Sequence, residues 1–408
     1  MSAGLMTASA TSHFADTPDR SRMQRDRMRR VHDAMRTQGL DVLVLLGNSN
    51  VAYATGAAWP LADAGRGLFE RPVAVVLADD PVPHLFSTWG DDRVVALVPD
   101  DHRHGPAHLE FDEGVEQFAS VLSGLVPSGG RIGFDEWTHA MRREVSLLFA
   151  AEKVGDAGMA MGAAKLVKTP DELAVMREGL RITEVAIAEV QRRLAPGVRQ
   201  TDLNAVFLGA IFDAGAEANV MDPIWQLMPS RVADGPWTTT GDIACPLLNT
   251  ERRLEAGDVL WVDVSLTYGG FHSDFGRTWI VGGEPDARQR AQFDRWREII
   301  GASLAVTRAG ARSAELTAAA ISAAGRGTPW LPHFYLAHGL GIDSAEMPFI
   351  GSDIGQAFDE QYELQAGMVL VFEPIVWEDG AAGYRSEEVV LVTDDGWIPM
   401  TDYPYDPY

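Results

Sequence analysis

Two aspartates that could share a cation lie in a stretch that predicts a β-hairpin. Residues 260–281 predict two strands, rich in β-branched and aromatic residues, on either side of a Gly-Gly turn. Asp263 and Asp274 are eleven residues apart. The hairpin can therefore bring both carboxylates to one side of a sheet, where a cation would offset the cost of burying them. The alternative is a solvated aspartate that pairs with Arg277.

An imidazole and two glutamates occur in similar surroundings further along the chain. His338 is followed by Gly-Leu-Gly, Glu373 interrupts the apolar run 368–376, and Glu387 precedes the apolar run 389–392. For each residue alone, a hydrogen-bonded core histidine or an acid at a strand end is the structural alternative. Together, four carboxylates and one imidazole suit Mn²⁺, Co²⁺, Fe²⁺ or Zn²⁺. Because two such ions about 3.5–4 Å apart form a hydrolytic centre, the pattern predicts a site for two divalent metal ions.

At these residues the sequence resembles the creatinase/prolidase/aminopeptidase P family, the pita-bread metallopeptidases. The order Asp, Asp, His, Glu, Glu matches, and so do Ser-Asp-Phe-Gly-Arg-Thr at 273–278, His-Gly-Leu-Gly at 338–341 and Phe-Glu-Pro at 372–374. The fourteen-residue gap between Glu373 and Glu387 is similar to that of prolidases. The resemblance covers most of the chain. It implies an α/β N-terminal domain followed by an α+β pita-bread catalytic domain, in which a curved antiparallel sheet carries duplicated helical units.

The resemblance also implies a role for each candidate metal ligand. Asp274 and Glu387 would bridge the two metal ions. Asp263 would complete one of the two metal sites. His338 and Glu373 would complete the other.

Hydrolysis of a C–N bond is the reaction that the resemblance implies. A metal-bound hydroxide would attack an amide, an amidine or an Xaa-Pro bond of a small-molecule or dipeptide substrate, with Glu373 as base and proton shuttle. Arg385 resembles an arginine that stands near the metal centre in this family. The family also implies a homodimer.

The sequence departs from the family's peptidases at two histidine positions. Ala345 stands seven residues after His338, and Pro246 stands seventeen residues before Asp263. At both positions these peptidases carry imidazoles that handle the substrate carbonyl and stabilise the tetrahedral intermediate. Losing both would cost a peptidase orders of magnitude in rate, since one oxyanion donor contributes about 10²–10³. His333 could substitute for one of them.

Two other functions therefore stay open beside the hydrolase. The C-terminal tail, 395–407, resembles that of the dimethylsulfoniopropionate lyases built on this fold, which also lack both histidines. A metal-dependent lyase on a small sulfonium or ammonium substrate would use Asp343 or Glu346 as its base. A non-catalytic binding module is the third possibility, although such a module has no need for all five ligand positions.

Aromatic residues occur where a substrate pocket would lie. Trp237, Tyr335 and Trp377 could surround a cationic substrate, because cation–π contacts bind quaternary ammonium and sulfonium groups. His333, two residues before Tyr335, is a further candidate substrate contact. The structural alternative is packing in the core or at the pocket rim.

The chain is predicted to contain three segments. Residues 1–18 are small and polar and predict a disordered tail, 19–160 predict the α/β domain, and 161–408 predict the pita-bread domain. Strands are expected at 41–47, 72–78 and 131–135, with helices at 21–38 and about 138–152. Segments 196–203 and 309–316 match at Gly, Arg, acid and Leu, which predicts a duplicated helix–loop–helix unit.

Composition restricts the partners. The chain of 408 residues has a formal net charge of −24, which disfavours nucleic acid and anionic membranes as partners. A single cysteine, Cys245, allows no internal disulfide and fits a reducing compartment. The sequence has no secretory signal pattern and no apolar run of membrane-spanning length. These features predict a cytoplasmic protein.

Overall fold

In the computed structural model, the chain forms two compact units. One unit is Thr17–Asp171, and the other is Glu172–Tyr408 together with the residues up to Asp16; they are called the N-terminal and C-terminal units below. The structure describes residues 13–57, 71–88, 97–221, 223–228, 249–325, 327–330, 335–351, 362–378 and 380–405. Most of the predicted tail lies outside these ranges, and Phe14 within it is buried with the Arg177 guanidinium 4.0 Å from its ring centre.

The described elements of the N-terminal unit alternate between helices and strands. In chain order they are α1 (Arg20–Gln38), β1 (Val42–Leu45), α2 (Asn48–Thr55), β2 (Val73–Leu77), β3 (His84–Phe86), a 3₁₀ helix (Asp100–His102), β4 (Arg103–His104), α3 (Asp112–Leu125), β5 (Ile132–Phe134), α4 (His139–Leu148), a 3₁₀ helix (Ala151–Lys153), β6 (Val154–Asp156) and α5 (Ala157–Lys165).

A six-stranded mixed sheet in the order β4-β3-β2-β1-β5-β6 forms the centre of the N-terminal unit. β1 pairs antiparallel with β2 and parallel with β5, and all four of its residues are buried. The predicted first helix is confirmed: Asp19 accepts hydrogen bonds from the N–H groups of Ser21 and Arg22 at its start, and Gly39 ends it at φ 63°. The predicted α/β class is confirmed for this unit.

The described elements of the C-terminal unit begin with a long helix that starts at the unit boundary. In chain order they are α6 (Pro170–Arg193), α7 (Gln200–Asp213), β7 (Ala218–Asn219), β8 (Ile224–Leu227), β9 (Val259–Val264), β10 (Leu266–Tyr268), β11 (Phe271–His272), β12 (Phe275–Ile280), α8 (Ala287–Val306), α9 (Ser313–Ala324), β13 (Ala337–Gly339), β14 (Glu346–Ile350), β15 (Val369–Phe372), β16 (Ile375–Trp377), β17 (Gly383–Arg385), β18 (Glu388–Val392) and β19 (Trp397–Pro399). No helix among the described residues is long and apolar enough to cross a membrane.

The strands of the C-terminal unit pair antiparallel throughout the described residues, in sheets ordered β12-β9-β8, β11-β10-β7, β14-β13-β15-β18-β19 and β16-β17. The first of these sheets contributes Trp225 and Trp279, whose rings stack 6.5 Å apart, to a core that also contains Phe207 of α7. The helices thus cover one apolar face of the sheet.

The predicted duplication is visible in the hydrogen bonds that precede α7 and α9. The N–H of Gly197 donates to Leu254 O at 2.7 Å, and the N–H of Gly310 donates to Leu364 O at 2.8 Å. Both glycines have positive φ, 88° and 81°, which glycine adopts at no steric cost. The segments before α7 and α9 are therefore held by the same kind of backbone hydrogen bond.

The predicted hairpin at 260–281 is divided in two at its serines. β9 pairs with β12, and β10 pairs with β11, in one continuous register. Between them the Ser265 hydroxyl donates to Ser273 O at 2.7 Å, and Leu266 N donates to the Ser273 hydroxyl at 3.1 Å. Side-chain hydroxyls replace part of the backbone ladder at this point, immediately before Asp274.

The guanidinium of Arg277, in β12, is buried and holds three backbone carbonyl groups around it. It donates to Gly276 O and Glu387 O, both at 2.8 Å, and to Tyr403 O at 3.0 Å. The ring of Phe275 lies 4.4 Å from its central carbon. A buried guanidinium requires such acceptors, and the carbonyl groups would lose a hydrogen-bond donor if the guanidinium were removed.

We expect Arg277→Met to lower the free energy of unfolding by about 2–4 kcal/mol, because the buried carbonyl oxygens lose their donors. The midpoint of thermal unfolding measures the loss. Arg192→Met is the matched control, since the side chain of Arg192 is 68% exposed and its change should stay within about 0.5 kcal/mol. Equal midpoints for the two variants would contradict the role given to Arg277.

Candidate metal centre

The register of β9 and β12 places the two aspartates on one face. Gly276 stands directly opposite Asp263, and Asp274 lies two residues before Gly276. Because side chains alternate along a strand, Asp274 and Gly276 point to the same side as Asp263. The residues Asp263 and Asp274 are 7% and 9% exposed, respectively. The alternative of a solvated aspartate paired with Arg277 is wrong, since that guanidinium donates to backbone carbonyls.

The imidazole and the two glutamates lie in or beside strands further along the chain, from β13 to β18. His338 is the middle residue of β13, which pairs with β15. Glu373 directly follows β15, and its N–H donates to Leu336 O at 2.9 Å. Glu387 lies between β17 and β18, and its N–H donates to Gly276 O at 3.0 Å. That last hydrogen bond joins the two halves of the candidate site.

The five side chains converge on a buried position. One carboxylate oxygen from each of Asp263, Asp274 and Glu387 lies within 4.8 Å of the others. His338 Nε2 lies 3.4 Å from Asp274 Oδ2 and 3.4 Å from Glu373 Oε1. The arrangement brings together all five residues that were predicted to hold metal.

Arg385 supplies one positive charge to this set. Its guanidinium lies 3.1 Å from Asp263 Oδ2, 2.6 Å from Glu373 Oε2 and 2.5 Å from Glu387 Oε1. Burial alone would lower the pKa of Arg385, but Glu387 and the other carboxylates raise it on balance. The guanidinium therefore stays charged and orients three of the four acids.

His338 is held in the form that binds metal. Its Nδ1 lies 2.9 Å from Gly339 O, which requires the proton on Nδ1 and leaves the Nε2 lone pair directed at the acids. Burial lowers the pKa of His338 to about 4, so the ring is neutral at pH 7. A neutral imidazole contributes no charge to offset the carboxylates.

Burial also raises the pKa of the acids. The pKa of Asp263 rises to about 7, through burial and then the charge of Glu387, and burial raises the pKa of Glu373 to about 7. Burial, followed by repulsion from Glu387, raises the pKa of Asp274 well above its ordinary value. Without a further cation, several of these acids must hold protons at neutral pH.

The donor set fits divalent metal ions. Four carboxylates and one guanidinium leave three negative charges when all are ionised, and burial makes such an excess costly. Within the described part of the chain, Glu387 Oε2 is buried and accepts no hydrogen bond. Hard oxygen donors with one imidazole nitrogen are the ligands that Mn²⁺, Co²⁺, Fe²⁺ and Zn²⁺ take.

Two residues around the centre were missed by sequence reasoning. At Gly276 an added Cβ would come within 2.7 Å of the Glu387 carboxyl group and 2.9 Å of Arg385 Nη1. The ring of Trp261 lies 4.7 Å from the central carbon of Arg385. Gly276 stands inside the quoted Ser-Asp-Phe-Gly-Arg-Thr block, so the signal was present, whereas Trp261 required the sheet register.

The two predicted bases occupy different surroundings. Glu346 is buried at the start of β14, with its carboxylate against Gly341, and its charge acts on His338. Asp343 lies on the connection between β13 and β14, half-buried, and its charge acts on His272. Of the two, Glu346 is the acid whose charge acts on a candidate ligand, His338.

The predicted substrate contacts are placed only in part. The ring of Tyr335 meets that of His338 edge-on, with centroids 5.5 Å apart. The ring centroids of Trp377 and Trp261 are 6.2 Å apart, and the Arg385 guanidinium lies over the Trp261 ring. The positions that lie outside the described residues are Trp237, Cys245, Pro246 and His333.

Comparison with known proteins identifies the class. Residues 174–394 match Metallopeptidase family M24, and residues 27–164 match the Creatinase/Prolidase N-terminal domain. The chain therefore belongs to metallopeptidase family M24, and the predicted resemblance to the creatinase/prolidase/aminopeptidase P family is confirmed.

Individual relatives agree with this class. The chain is 28% identical over 251 residues to the probable dipeptidase PepE of Mycobacterium tuberculosis, covering 59% of this chain and 60% of the relative. It is 27% identical over 245 residues to the Xaa-Pro dipeptidase of Pyrococcus furiosus, covering 58% and 63%. The crystal structure of dipeptidase PepE from Mycobacterium ulcerans superposes with a TM-score of 0.73 at 20% identity, covering 95% of this chain and 98% of that chain. The superposition confirms the two-part fold.

We expect Gly276→Ala to weaken metal binding by about 10- to 100-fold, because the added methyl group displaces the Glu387 carboxylate and the Arg385 guanidinium. Calorimetric titration of the metal-free protein with Mn²⁺ measures the affinity. Gly301→Ala in α8 is the matched control, since a Cβ there meets nothing within 4 Å. An unchanged affinity in Gly276→Ala would contradict the assignment of this face as the metal site.

Metal binding should release protons at pH 6 and fewer protons at pH 8. The carboxyl groups of Asp263 and Glu373, with pKa values of about 7, largely hold their protons at pH 6, and a bound cation replaces them. The affinity for metal should therefore rise with pH across this range. Titration calorimetry in two buffers of different ionisation enthalpy counts the protons.

Glu388 offers the control for that count. Burial raises the pKa of Glu388 to about 7 as well, but its carboxylate accepts a hydrogen bond from Thr401 and is not among the five ligands. Glu388→Gln should leave the proton count unchanged. A count that is equal at pH 6 and pH 8 in the unsubstituted protein would argue against raised carboxyl pKa values at the centre.

Proposed function

We propose that the chain is a hydrolase with two divalent metal ions that cleaves the C–N bond of a small substrate, an Xaa-Pro dipeptide in the first instance. The observation that carries the proposal is the convergence of four buried carboxylates and a neutral imidazole on one position. The names of the relatives, Xaa-Pro dipeptidase and probable dipeptidase, support a dipeptide as substrate.

The charge of the site supports two ions rather than one. When ionised, the four carboxylates and Arg385 carry three negative charges. One divalent ion would leave one net negative charge inside the protein, whereas two ions would leave one net positive charge. That excess suits a site that must bind a carbonyl oxygen or a carboxylate group of a substrate.

The five candidate ligands would hold the ions together. Asp263 and Asp274 come from β9 and the segment before β12, and His338, Glu373 and Glu387 come from the segment 337–388. When bound, the ions would polarise a substrate carbonyl and activate water for attack.

Glu373 is the candidate for proton transfer. It follows β15 at the end of a buried strand, and its Oε1 lies 3.4 Å from His338 Nε2, so its carboxylate stands at the candidate metal position, where it could take a proton from water and give it back. In hydrolysis it would accept a proton from the attacking water and deliver it to the leaving nitrogen as the C–N bond breaks. Arg385, 2.6 Å from Glu373 Oε2, would orient the carboxylate during both transfers.

Two residues beside the candidate centre complete the proposal. Tyr335, next to His338, is proposed as a substrate contact, and Glu346 as the acid that acts near the position of the absent imidazole. Mn²⁺, Co²⁺, Fe²⁺ and Zn²⁺ all suit the donor set, and assembly as a cytoplasmic homodimer stays a prediction.

We expect the purified chain to hydrolyse an Xaa-Pro dipeptide after metal removal and restoration with Mn²⁺, Co²⁺ or Zn²⁺. Glu373→Gln should lower kcat by about 10²–10⁴ because proton transfer is lost. Glu378→Gln is the matched control, since that carboxylate lies on the surface, 2.6 Å from Arg288. Elemental analysis of each variant separates loss of catalysis from loss of metal.

Oxygen-18 water distinguishes the reaction types. A hydrolase places the label in the new carboxylate, whereas a lyase acting on a sulfonium or ammonium compound gives an unsaturated product without label. Metal-loaded protein that leaves dipeptides intact but eliminates such a compound would replace the hydrolase with the lyase. Protein that binds no metal after restoration would overturn both.

A further inference from the structure

A second group of metal-ligating side chains lies in the N-terminal unit. Asp80 follows β2, His84 begins β3, and His102 ends the first 3₁₀ helix. One carboxylate oxygen or imidazole nitrogen from each of the three residues lies within 4.8 Å of those from the other two. This group, called the Asp80 cluster below, has no part in the candidate centre of the C-terminal unit.

The parallel pairing of β3 with β4 brings these residues together. Leu85 pairs with Arg103, so His84 and His102, the residues that precede this pair, become neighbours. Their rings stack with centroids 4.4 Å apart. The sequence separates the two histidines by eighteen residues, so their proximity depends on the sheet.

Both imidazoles have a partner that can fix the proton on Nδ1. His102 Nδ1 lies 3.0 Å from Asp101 Oδ1, while His102 Nε2 lies 3.0 Å from Asp80 Oδ2. His84 Nδ1 lies 3.1 Å from His104 Nε2. In metal sites, a carboxylate or other acceptor on the far nitrogen selects the tautomer whose remaining nitrogen binds the ion.

The Asp80 cluster is anchored on its inner side and open on its outer side. His84 is 7% exposed, and the ring of His104 stacks 4.4 Å from that of Phe86, which belongs to the core of the unit. The side chain of Asp80 remains 30% exposed. An ion can therefore reach the group from solvent and complete its coordination with water.

We propose that Asp80, His84 and His102 bind a divalent ion of the zinc class. Two imidazole nitrogens and one carboxylate oxygen are ligands that Zn²⁺ takes, and they suit Mg²⁺ and Ca²⁺ poorly. The ion replaces the proton that lies between His102 Nε2 and Asp80, and that proton leaves to solvent. By bridging the end of β2, β3 and the 3₁₀ helix, the ion stabilises this edge of the sheet.

Equilibrium dialysis of the full chain against Zn²⁺, followed by elemental analysis, tests the proposal. The unsubstituted protein should bind one more zinc ion per chain than His84→Gln or His102→Gln. His139→Gln, which changes an exposed histidine in the same unit, should bind as much as the unsubstituted protein. The candidate centre contributes equally in all four proteins, so the difference reports the Asp80 cluster alone.

A variant at an exposed residue controls for the possibility that the histidine variants misfold. The side chain of Asp101 is 81% exposed, so Asp101→Asn should fold normally, yet it removes the carboxylate that orients His102. Zinc affinity at the Asp80 cluster should fall by about 10- to 100-fold. Equal zinc content in the unsubstituted protein and both histidine variants would overturn the proposal, and so would an unchanged affinity in Asp101→Asn. Dipeptide hydrolysis is measured separately, so failure of the proposed hydrolase would be recognised as a different result.

Discussion

The burial of like charges is the constraint on which the C-terminal unit depends. Four carboxylates are gathered with a single guanidinium in a site where water can solvate them little, and the accompanying imidazole is neutral. Such a set is stable only when its acids hold protons or when cations are bound. Burial therefore both raises the pKa of these acids and favours the binding of cations beside them.

Near the site, the regular strand pairing is interrupted, and this makes room for the buried acids. The serines before Asp274 divide the hairpin, and Gly276 leaves the space that the Glu387 carboxylate and Arg385 fill. Arg277 donates to Glu387 O, so a second guanidinium holds the backbone of a ligand without touching its carboxylate. One arginine therefore orients acids, while the other holds the strands that carry them.

Sequence reasoning predicted the fold class and the ligand candidates because both depend on local patterns. The strand patterns, the glycines that end helices and the order of acids around short motifs are all readable along the chain. It left open an aspartate paired with Arg277, since the different partners of Arg277 and Arg385 are set by the pairing of the strands that carry them. The Asp80 cluster was missed for the same reason: its residues come together only through the pairing of β3 with β4.

The departure from the family at Ala345 lies outside the paired strands that carry the candidate metal ligands. The ligands lie in or beside paired strands, whose register is fixed by buried apolar neighbours. Ala345 lies on the connection between β13 and β14, outside the paired strands and half-buried. Connecting segments can change without unpairing the sheet, and they carry much of the specificity in proteins of common fold. A family member can therefore keep its metal ligands, because losing one leaves buried charge uncompensated, while the residues that contact substrate change. The buried ligand set argues for metal chemistry, and the connection at Ala345 is the described place where this chain departs from the histidine pattern that the resemblance implies.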